Sequence, residues 1–229
     1  MDVTTAPEIF ARAHGMKVIC LGDIMLDRYI YGKATRISPE APVPVVHVRR
    51  QLFVPGGAGN VAINLDAFGL SPILIGVAGN DAAATSIEEL FRNRPGCRLR
   101  LVRDPARPTI VKTRVIAGIQ QIVRFDEEDA LPLAPELNRR LLEHFGNSLE
   151  EAGAVAISDY AKGTANPDLV REAIRLARAA GKPVAVDPKG RDYGKYAGAW
   201  LVKPNRKELA EAAGGDIPDD GAAIEAGRA

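Results

Sequence analysis

Short apolar runs alternate with amphipathic segments along most of this 229-residue chain, and this alternation constrains the fold more than any other feature. The runs that read as buried strands are 18–21, 73–77, 154–157, 184–186 and 200–202. A helical period predicts helices at 61–68, 81–92, 135–149, 167–180 and 206–213. Strands that alternate with helices are typical of βαβ units, so the sequence predicts an α/β fold with a mostly parallel central sheet.

Two segments break this alternation, 28–50 and 109–126. The first contains three prolines, and the second alternates β-branched with polar residues, as in Val111, Lys112 and Thr113. Half-exposed strands alternate in this way and buried parallel strands do not, so we expect a small antiparallel sheet. Such a sheet would project over a site as a lid, within one domain that extends from residue 16 to Ala229.

Composition and charge exclude several classes of protein. Thirty basic and twenty-nine acidic residues give no broad electrostatic footprint for nucleic acid or for an anionic membrane. No run approaches the roughly 18 apolar residues of a membrane span. Cys20 and Cys97 have neither a metal-binding nor a disulfide spacing, so we expect free thiols in a reducing cytoplasm.

A glycine-rich turn at residues 55–60 precedes a helical pattern. Glycines let backbone N–H groups approach a sugar or a phosphate closely, and the following helix adds its positive N-terminus. Residues 57–62 also fit the dinucleotide fingerprint G-x-G-x-x-A, with Asp81 as a candidate ribose-binding acid. That fingerprint must follow a buried strand, whereas Arg49, Arg50 and Pro55 precede the turn, and Asp81 is also a natural helix cap. A dinucleotide site and a purely structural turn remain the alternatives.

Polar side chains follow the ends of three predicted strands. They are Asp23, Asp27, Asp159, Lys162, Asp187 and Lys189. The carboxyl ends of parallel strands meet at one edge of a sheet, so we expect these groups to share a site. Each of them alone can equally be a turn or cap residue.

Further candidate residues lie in the second lid segment and after residue 202. Lys112 and Arg114 occupy alternate positions of a strand, so they share a face and can converge on a phosphate together with Arg124. Alternatively, each of these cations lies on a solvated strand face and binds no ligand. Asn205 and Glu208 have the spacing of a helix-capping pair. Glu208 is alternatively placed near a hydrated Mg²⁺ at nucleotide phosphates.

Several motifs together resemble the ribokinase-type (PfkB) carbohydrate kinases. They are residues 22–29, 36–45, 55–62, 158–163 and 187–190. Segments 36–45 and 158–163 point to the branch of that family that phosphorylates D-glycero-β-D-manno-heptose 7-phosphate. The resemblance implies a three-layer ribokinase-like fold, ATP and Mg²⁺ as cofactors, and a homodimer formed through the lid.

The resemblance also implies roles for individual residues. On the substrate side it implies Asp27, Gly56, Gly57, Asn60, Lys112, Arg114, Gln121, Arg124, Asp159 and Lys162. On the nucleotide side it implies Asp187, Lys189, Asn205 and Glu208, with Glu208 reaching Mg²⁺ through water.

The implied reaction is transfer of the γ-phosphoryl group of ATP to the anomeric hydroxyl of the heptose 7-phosphate, which gives the 1,7-bisphosphate used in lipopolysaccharide synthesis. Members of the family carry a Gly-Ala-Gly-Asp motif whose aspartate is the base, and no such motif occurs up to Ala229. We therefore expect the base to lie beyond Ala229 and the C-terminal part of the fold to be missing from this sequence. We also expect this sequence to contain no catalytic residue and its residues alone not to turn over substrate. An NAD-dependent oxidoreductase and a non-catalytic sugar-phosphate binding or dimerisation module remain the alternatives.

Overall fold

The computed structural model describes residues 6–129 and 131–228. In chain order the strands are β1 (Lys17–Gly22), β2 (Ile24–Ile37), β3 (Pro44–Gly57), β4 (Ser71–Gly79), β5 (Arg98–Asp104), β6 (Ile110–Ala117), β7 (Gln120–Glu127), β8 (Ala154–Ser158), β9 (Val184–Asp187) and β10 (Leu201–Val202). The helices are α1 (Ala6–Ala13), α2 (Ala58–Ala67), α3 (Ala82–Arg92), α4 (Pro135–Leu149), α5 (Pro167–Ala179), α6 (Arg206–Ala213) and α7 (Asp220–Arg228), and a 3₁₀ turn covers Tyr193–Tyr196.

The larger sheet is parallel, has the strand order β10-β9-β8-β1-β4-β5, and forms the middle of three layers. Side chains of β1 alternate between two apolar cores. Ile19 and Leu21 belong to the core that contains α4 and α5 residues, whereas Val18 and Cys20 belong to the core that contains α2 and α3 residues. A strand covered on both faces must be apolar throughout, which explains the continuous run that the sequence showed.

Helix α5 illustrates how the sequence fixes an element. Asn166 caps the helix by accepting a hydrogen bond from the backbone N–H of Leu169, and Pro167 occupies the first turn. The buried stripe includes Val170 and Ile174, and full burial of each such side chain contributes about 1.5–3 kcal/mol. The predictions of α2 to α6 are confirmed to within a few residues.

The sequence prediction differs from the structure at several elements. Helix α1 and strand β5 were missed; the arginines that alternate along β5 hide an edge strand that pairs only with β4. Trp200 was expected in a buried strand, but it is 76% exposed and lies just before the two-residue strand β10.

The C-terminal end of the expected domain is only partly covered by the structure. Residues 219–229 resemble the start of a further helix, and the structure forms α7 there, with Arg228 as its last described residue. Ala229, where the predicted domain ends and beyond which the base was expected, lies outside the described residues. The position of the base therefore stays a prediction.

A second sheet, which we call the lid, has the strand order β3-β2-β6-β7. Its outer pairs β2–β3 and β6–β7 are antiparallel, as expected, but the central pair β2–β6 is parallel. The expectation of a wholly antiparallel sheet was therefore wrong. The reason is topological: β2 follows β1 and β6 follows β5, so both leave the same carboxyl edge of the parallel sheet.

The lid is also longer than expected, because β2 begins at Ile24 and β3 extends to Gly57. The glycines of residues 56–57 are therefore the end of a lid strand and not a free loop. Across the described part of the chain, no helix combines the length and the apolar character that crossing a membrane requires.

Gly57 joins the lid to α2 in a conformation that only glycine fits. Its φ is +57°, and a Cβ there would lie 2.2 Å from the carbonyl oxygen of Asp23. The same oxygen accepts the backbone N–H of Ala58 at 2.9 Å, so the chain cannot move away without losing that bond. The start of α2 is thereby fixed against the junction of β1 and β2.

We expect Gly57→Ala to lower the free energy of unfolding by at least about 2 kcal/mol, because it adds a steric clash to a strained φ. Gly214→Ala is the control for a positive φ without a clash: Gly214 lies in the left-handed region with φ +73° and ψ 21°, whereas Gly57 has a ψ of −132°, and the Cβ added at Gly214 meets nothing within 4 Å. It should cost about 1 kcal/mol. Urea unfolding followed by circular dichroism compares the two, and equal losses would contradict the steric argument.

Candidate functional site

The side chain of Asp23 lies at the point where the parallel sheet, the lid and the loop after β8 meet. It is fully buried, between β1 and β2. Its carboxylate accepts the backbone N–H groups of Tyr160 at 2.8 Å, Lys162 at 3.1 Å and Thr164 at 2.9 Å. Asp23 thus holds the loop after β8 in place.

The backbone of Asp23 makes two further connections. Its N–H donates to the carbonyl of Ser158 at 3.2 Å, and its carbonyl accepts from Ala58. Burial raises the pKa of Asp23, while the three N–H donors act in the opposite direction. Of the two sequence hypotheses for this residue, the structure supports the structural one, since no part of the carboxylate is exposed to a ligand.

Asp27 faces the space beside the glycine turn. A Cβ on Gly56 would lie 2.6 Å from the Oδ2 atom of Asp27, so the glycine keeps this carboxylate accessible. Arg114 forms an ion pair with Asp27, and its guanidinium lies 5.2 Å from the ring centroid of Tyr29. The three expected neighbours Asp27, Gly56 and Arg114 are therefore adjacent.

A cluster of opposite charges, which we call the lid cluster, lies beside Asp27. Lys112 contacts Asp126 at 2.8 Å and Glu128 at 3.0 Å. Lys162, from the loop after β8, contacts the same Glu128 at 2.5 Å, and Arg124 contacts Asp126 at 2.6 Å. The four cations expected to meet a phosphate, including Arg114, are thus brought together by strands and loops far apart in the chain.

The lid cluster is close to electrically balanced. The hydrogen bond from Arg124 is the main cause of the lowered pKa of Asp126. Burial acts to raise the pKa of Glu128, but hydrogen bonds from Lys162 and Lys112 outweigh it and the pKa is lowered. Both carboxylates are therefore ionised at neutral pH and pair with the cations of the lid cluster.

Asn60 and Gln121 are exposed. Asn60 is the third residue of α2, whose start is fixed by Asp23, and Gln121 pairs in register with Ile116 of the lid. Their expected contacts with a substrate remain predictions.

Asp159 does not face the open site. Its side chain is fully buried and accepts hydrogen bonds from Lys195 at 2.5 Å, from the Tyr196 hydroxyl at 2.7 Å and from the backbone N–H of Ala161 at 2.7 Å. The geometry gives it a structural role in the turn at Ala161, which has a φ of +54°. The expectation of direct substrate contact has no support in this arrangement.

The expected nucleotide side lies after β9 and before α6. Asn205 and Glu208 form a capping box, with both reciprocal hydrogen bonds present at 2.9 Å, so the capping hypothesis is confirmed. The other carboxylate oxygen of Glu208 accepts from Lys189 at 3.1 Å. Asp187 ends β9 and lies 3.5 Å from the ammonium group of Lys203.

Glu208 and Asp187 supply the oxygen ligands that a hydrated Mg²⁺ prefers. Burial acts to raise the pKa of Glu208, but the Asn205 N–H and Lys189 outweigh it, so the carboxylate stays ionised. Within residues 6–129 and 131–228, no three His, Cys, Asp or Glu side chains group as a metal site. Glu208 and Asp187 are carboxylates of the kind that a hydrated Mg²⁺ contacts, so their chemistry fits such an ion.

Tyr160 follows Asp159 in the loop after β8 and was missed as a site residue; it is 39% exposed. Burial is the main cause of the raised pKa of its phenol, and the negative charges of Asp187, Asp27 and Glu208 add to the effect. Lys195 and Tyr196 were also missed. The motif around Tyr160 was visible in the sequence, but the pairing of Asp159 with residues 36 and 37 positions later was not.

Comparison with protein-family models gives a match to the pfkB family of carbohydrate kinases over residues 16–229. The bifunctional protein HldE of Caulobacter vibrioides is 49% identical over 223 residues, which cover 97% of this chain and 45% of that protein. HldE of Gluconacetobacter diazotrophicus is 47% identical over 212 residues, which cover 93% of this chain and 44% of that protein. The chain thus spans slightly less than half the length of these curated relatives.

Solved structures with the same architecture share much less sequence. The tetrameric inhibited form of phosphofructokinase-2 from Escherichia coli superposes with a TM-score of 0.71 at 22% identity, covering 94% of this chain and 69% of that one. A possible 1-phosphofructokinase from Thermotoga maritima gives a TM-score of 0.71 at 20% identity, covering 92% of this chain and 67% of that one. The expected ribokinase-like α/β fold, with a parallel central sheet and a second small sheet, is confirmed.

We expect Asp23→Asn to lower the free energy of unfolding by about 1–3 kcal/mol, because an amide NH₂ in place of one carboxylate oxygen leaves at least one buried backbone N–H without its acceptor. Amide hydrogen exchange of Tyr160, Lys162 and Thr164 should accelerate together. Asp192→Asn is the control, since Asp192 makes an exposed turn bond to Gly194. Unchanged exchange at all three amides in Asp23→Asn would refute the anchoring role.

Proposed function

The chain belongs to the pfkB family of carbohydrate kinases, and on that premise we propose that residues 16–229 form the sugar-binding part of an ATP-dependent sugar-phosphate kinase. The proposed acceptor is the anomeric hydroxyl of D-glycero-β-D-manno-heptose 7-phosphate. The product would be the 1,7-bisphosphate for lipopolysaccharide synthesis. The base that takes the hydroxyl proton would come from a Gly-Ala-Gly-Asp motif, which this sequence does not contain up to Ala229.

The observation that carries the proposal is the lid cluster beside Asp27. Asp27, with Gly56 leaving space in front of it, suits a sugar hydroxyl that donates hydrogen bonds. The neighbouring cations suit an anionic group elsewhere on the same small molecule; they are Lys112, Arg114, Arg124 and Lys162. A phosphorylated sugar has both groups.

The identity of the sugar rests on a narrower argument. Segments 36–45 and 158–163 resemble heptose 7-phosphate kinases, and the second segment supplies Lys162 to the lid cluster. A phosphate on the sugar would give these cations a partner in addition to Asp126 and Glu128.

On the nucleotide side, Glu208 and Lys189 would orient the phosphates of ATP, and Asp187 would approach them from the end of β9. Mg²⁺ bound with ATP would supply positive charge to the phosphates during transfer. The lid residues of this chain would exclude water and align the hydroxyl, which is the main contribution a protein makes to phosphoryl transfer. We place the reaction in the cytoplasm, where ATP is available.

We also propose that two copies of the chain associate through the lid. The lid face opposite Asp27 carries exposed apolar side chains, namely Phe53, Val123 and Phe125. Sheet faces of this kind are characteristic of interaction surfaces.

We expect Phe125→Asp to convert the dimer into a monomer, because it places a charge on this apolar face, and sedimentation equilibrium measures the change. A wild-type chain that is already monomeric at high micromolar concentration would contradict the proposal.

The oxidoreductase alternative loses its structural basis. Gly56 and Gly57 are the last residues of the antiparallel lid strand β3. The dinucleotide fingerprint instead requires a preceding buried parallel strand. The carboxylate of Asp81 is occupied by the backbone N–H of Ala84 and by the N–H and hydroxyl of Thr109. The non-catalytic module is distinguished by phosphorus NMR with ATP, Mg²⁺ and heptose 7-phosphate, carried out on this chain and on a chain extended beyond Ala229. Bisphosphate formed by the longer chain would exclude the module, and none formed by either chain would exclude the kinase.

We expect Lys112→Met to weaken binding of heptose 7-phosphate by about tenfold to hundredfold, the effect of losing one hydrogen bond to a charged group. Binding of the unphosphorylated heptose should not change, because Lys112 is proposed to meet only the phosphate. Asp27→Asn should weaken both ligands, since Asp27 is proposed to meet hydroxyls that they share.

Calorimetric titration of the two sugars into each variant provides the measurement. Lys182→Met is the matched control, because Lys182 precedes β9 at the opposite end of the parallel sheet and should bind both sugars like the wild type. If Lys112→Met weakened both sugars equally, Lys112 would not be a phosphate contact. If the wild type bound neither sugar, the proposed function itself would fail.

A further inference from the structure

The hydroxyl of Tyr196 lies between the two loops that carry the proposed half-sites. Residues 158–164 carry Lys162, on the sugar side, and residues 187–190 carry Lys189, on the nucleotide side. The parallel sheet joins the two loops where they begin. There Ser158 and Asp187 pair in register, and the Asp159 N–H donates to the Asp187 carbonyl at 3.0 Å. Beyond those positions, Tyr196 bonds to both loops.

Tyr196 uses its single hydroxyl in both directions. It donates to the Oδ2 atom of Asp159 at 2.7 Å and accepts the backbone N–H of Lys189 at 2.9 Å. Only 2% of Tyr196 is exposed, so water cannot replace either bond without a cavity. Burial first, and then the adjacent Asp159, raise the pKa of the phenol, which therefore keeps the proton that it donates.

Each loop transmits this contact toward the cleft. On one side, Asp159 also accepts the N–H of Ala161, whose positive φ is an unfavourable conformation for a residue with a side chain, and the next residue is Lys162. On the other side, the ammonium group of Lys189 reaches the Glu208 carboxylate at 3.1 Å. A continuous series of hydrogen bonds thus runs from the turn that presents Lys162 to the start of α6.

We propose that the Tyr196 hydroxyl is a positioning group that fixes the loop of Lys162 relative to the loop of Lys189, so that the two half-sites respond as one unit. Tyr196 touches neither ligand and acts through Asp159 and Lys189. The link to ligands rests on the proposed function, whereas the coupling between the loops does not.

The same 3₁₀ turn provides a matched control. Tyr193 packs edge-on against Tyr196 with ring centroids 5.6 Å apart, and its hydroxyl is buried with no hydrogen-bond partner among the described residues. Tyr196→Phe and Tyr193→Phe therefore remove the same atom from the same turn. Only the first removes hydrogen bonds to the two loops.

Site-resolved amide hydrogen exchange by NMR tests the coupling without any ligand. Tyr196→Phe should accelerate exchange at both Lys189 and Ala161 by about tenfold or more, the equivalent of one lost hydrogen bond. Tyr193→Phe should change neither amide by more than about twofold, because it removes no hydrogen bond. Acceleration at Lys189 alone would show that the loops are independent and would overturn the proposal.

Asp159→Asn tests the same link by changing the residue that accepts the Tyr196 hydrogen bond. This variant replaces Tyr196→Phe in the experiment if Tyr196→Phe does not fold. The Lys189 N–H is not a partner of Asp159, and the Tyr196 hydroxyl connects the two through side-chain hydrogen bonds. If faster exchange at Lys189 passes through this hydroxyl, Asp159→Asn should add no further acceleration at Lys189 in a Tyr196→Phe background. We expect acceleration at both Ala161 and Lys189. An effect confined to Ala161 would contradict the coupling.

The role in ligand binding is tested with heptose 7-phosphate as the probe. The sugar phosphate is proposed not to contact Lys189. At saturation it should nevertheless slow amide exchange at Lys189 in the wild type and in Tyr193→Phe. In Tyr196→Phe the same ligand should change this exchange rate by less than about twofold. Equal slowing in Tyr196→Phe would overturn the proposed coupling. Failure of the sugar to bind the wild type would count against the proposed function, and the ligand-free exchange would still decide the coupling.

Discussion

The buried carboxylate of Asp23 is the interaction on which the rest of the site depends. A carboxylate removed from water is costly unless hydrogen bonds compensate, and here three backbone N–H groups of one loop do so. Because Asp23 also separates β1 from β2 and accepts the N–H of Ala58, the same residue fixes where the lid leaves the sheet and where α2 begins. The positions of Lys162, Gly57 and Asp27 relative to one another follow from that junction.

Two kinds of acidic residue can therefore be distinguished in the cleft. Asp23 and Asp159 are fully buried, and the groups that saturate them are backbone amides, Lys195 and Tyr196. Asp27, Asp126 and Glu128 are partly exposed and balance cations of the lid cluster. The first kind fixes the backbone around the site. The second kind pairs with the cations that we propose an anionic ligand would contact.

The sequence predicted those parts of the molecule that depend on local pattern. Continuous apolar runs gave the strands of the parallel sheet, and Asn166 with Pro167 gave the start of α5. Strand-end polar residues also indicated Asp27 and Lys162, which the structure places in ion pairs with lid residues; their contacts with a substrate remain predictions. The features that the sequence did not predict depend on contacts between distant residues. Strand β5 was missed because it is an edge strand that contains arginines, and β2 and β6 are parallel because both leave one edge of the sheet. Asp159 is hydrogen-bonded by Lys195 and Tyr196, and such contacts are not visible in periodicity or spacing.

We propose that one phosphorylated sugar binds between the lid cluster and the loop after β8. A crystal structure of this chain soaked with heptose 7-phosphate is the decisive measurement. We expect the sugar's own phosphate within hydrogen-bond distance of Lys112 and Lys162, a hydroxyl on Asp27, and the anomeric hydroxyl directed toward the side of Glu208. A sugar bound elsewhere, or one with its phosphate away from the lid cluster, would contradict it.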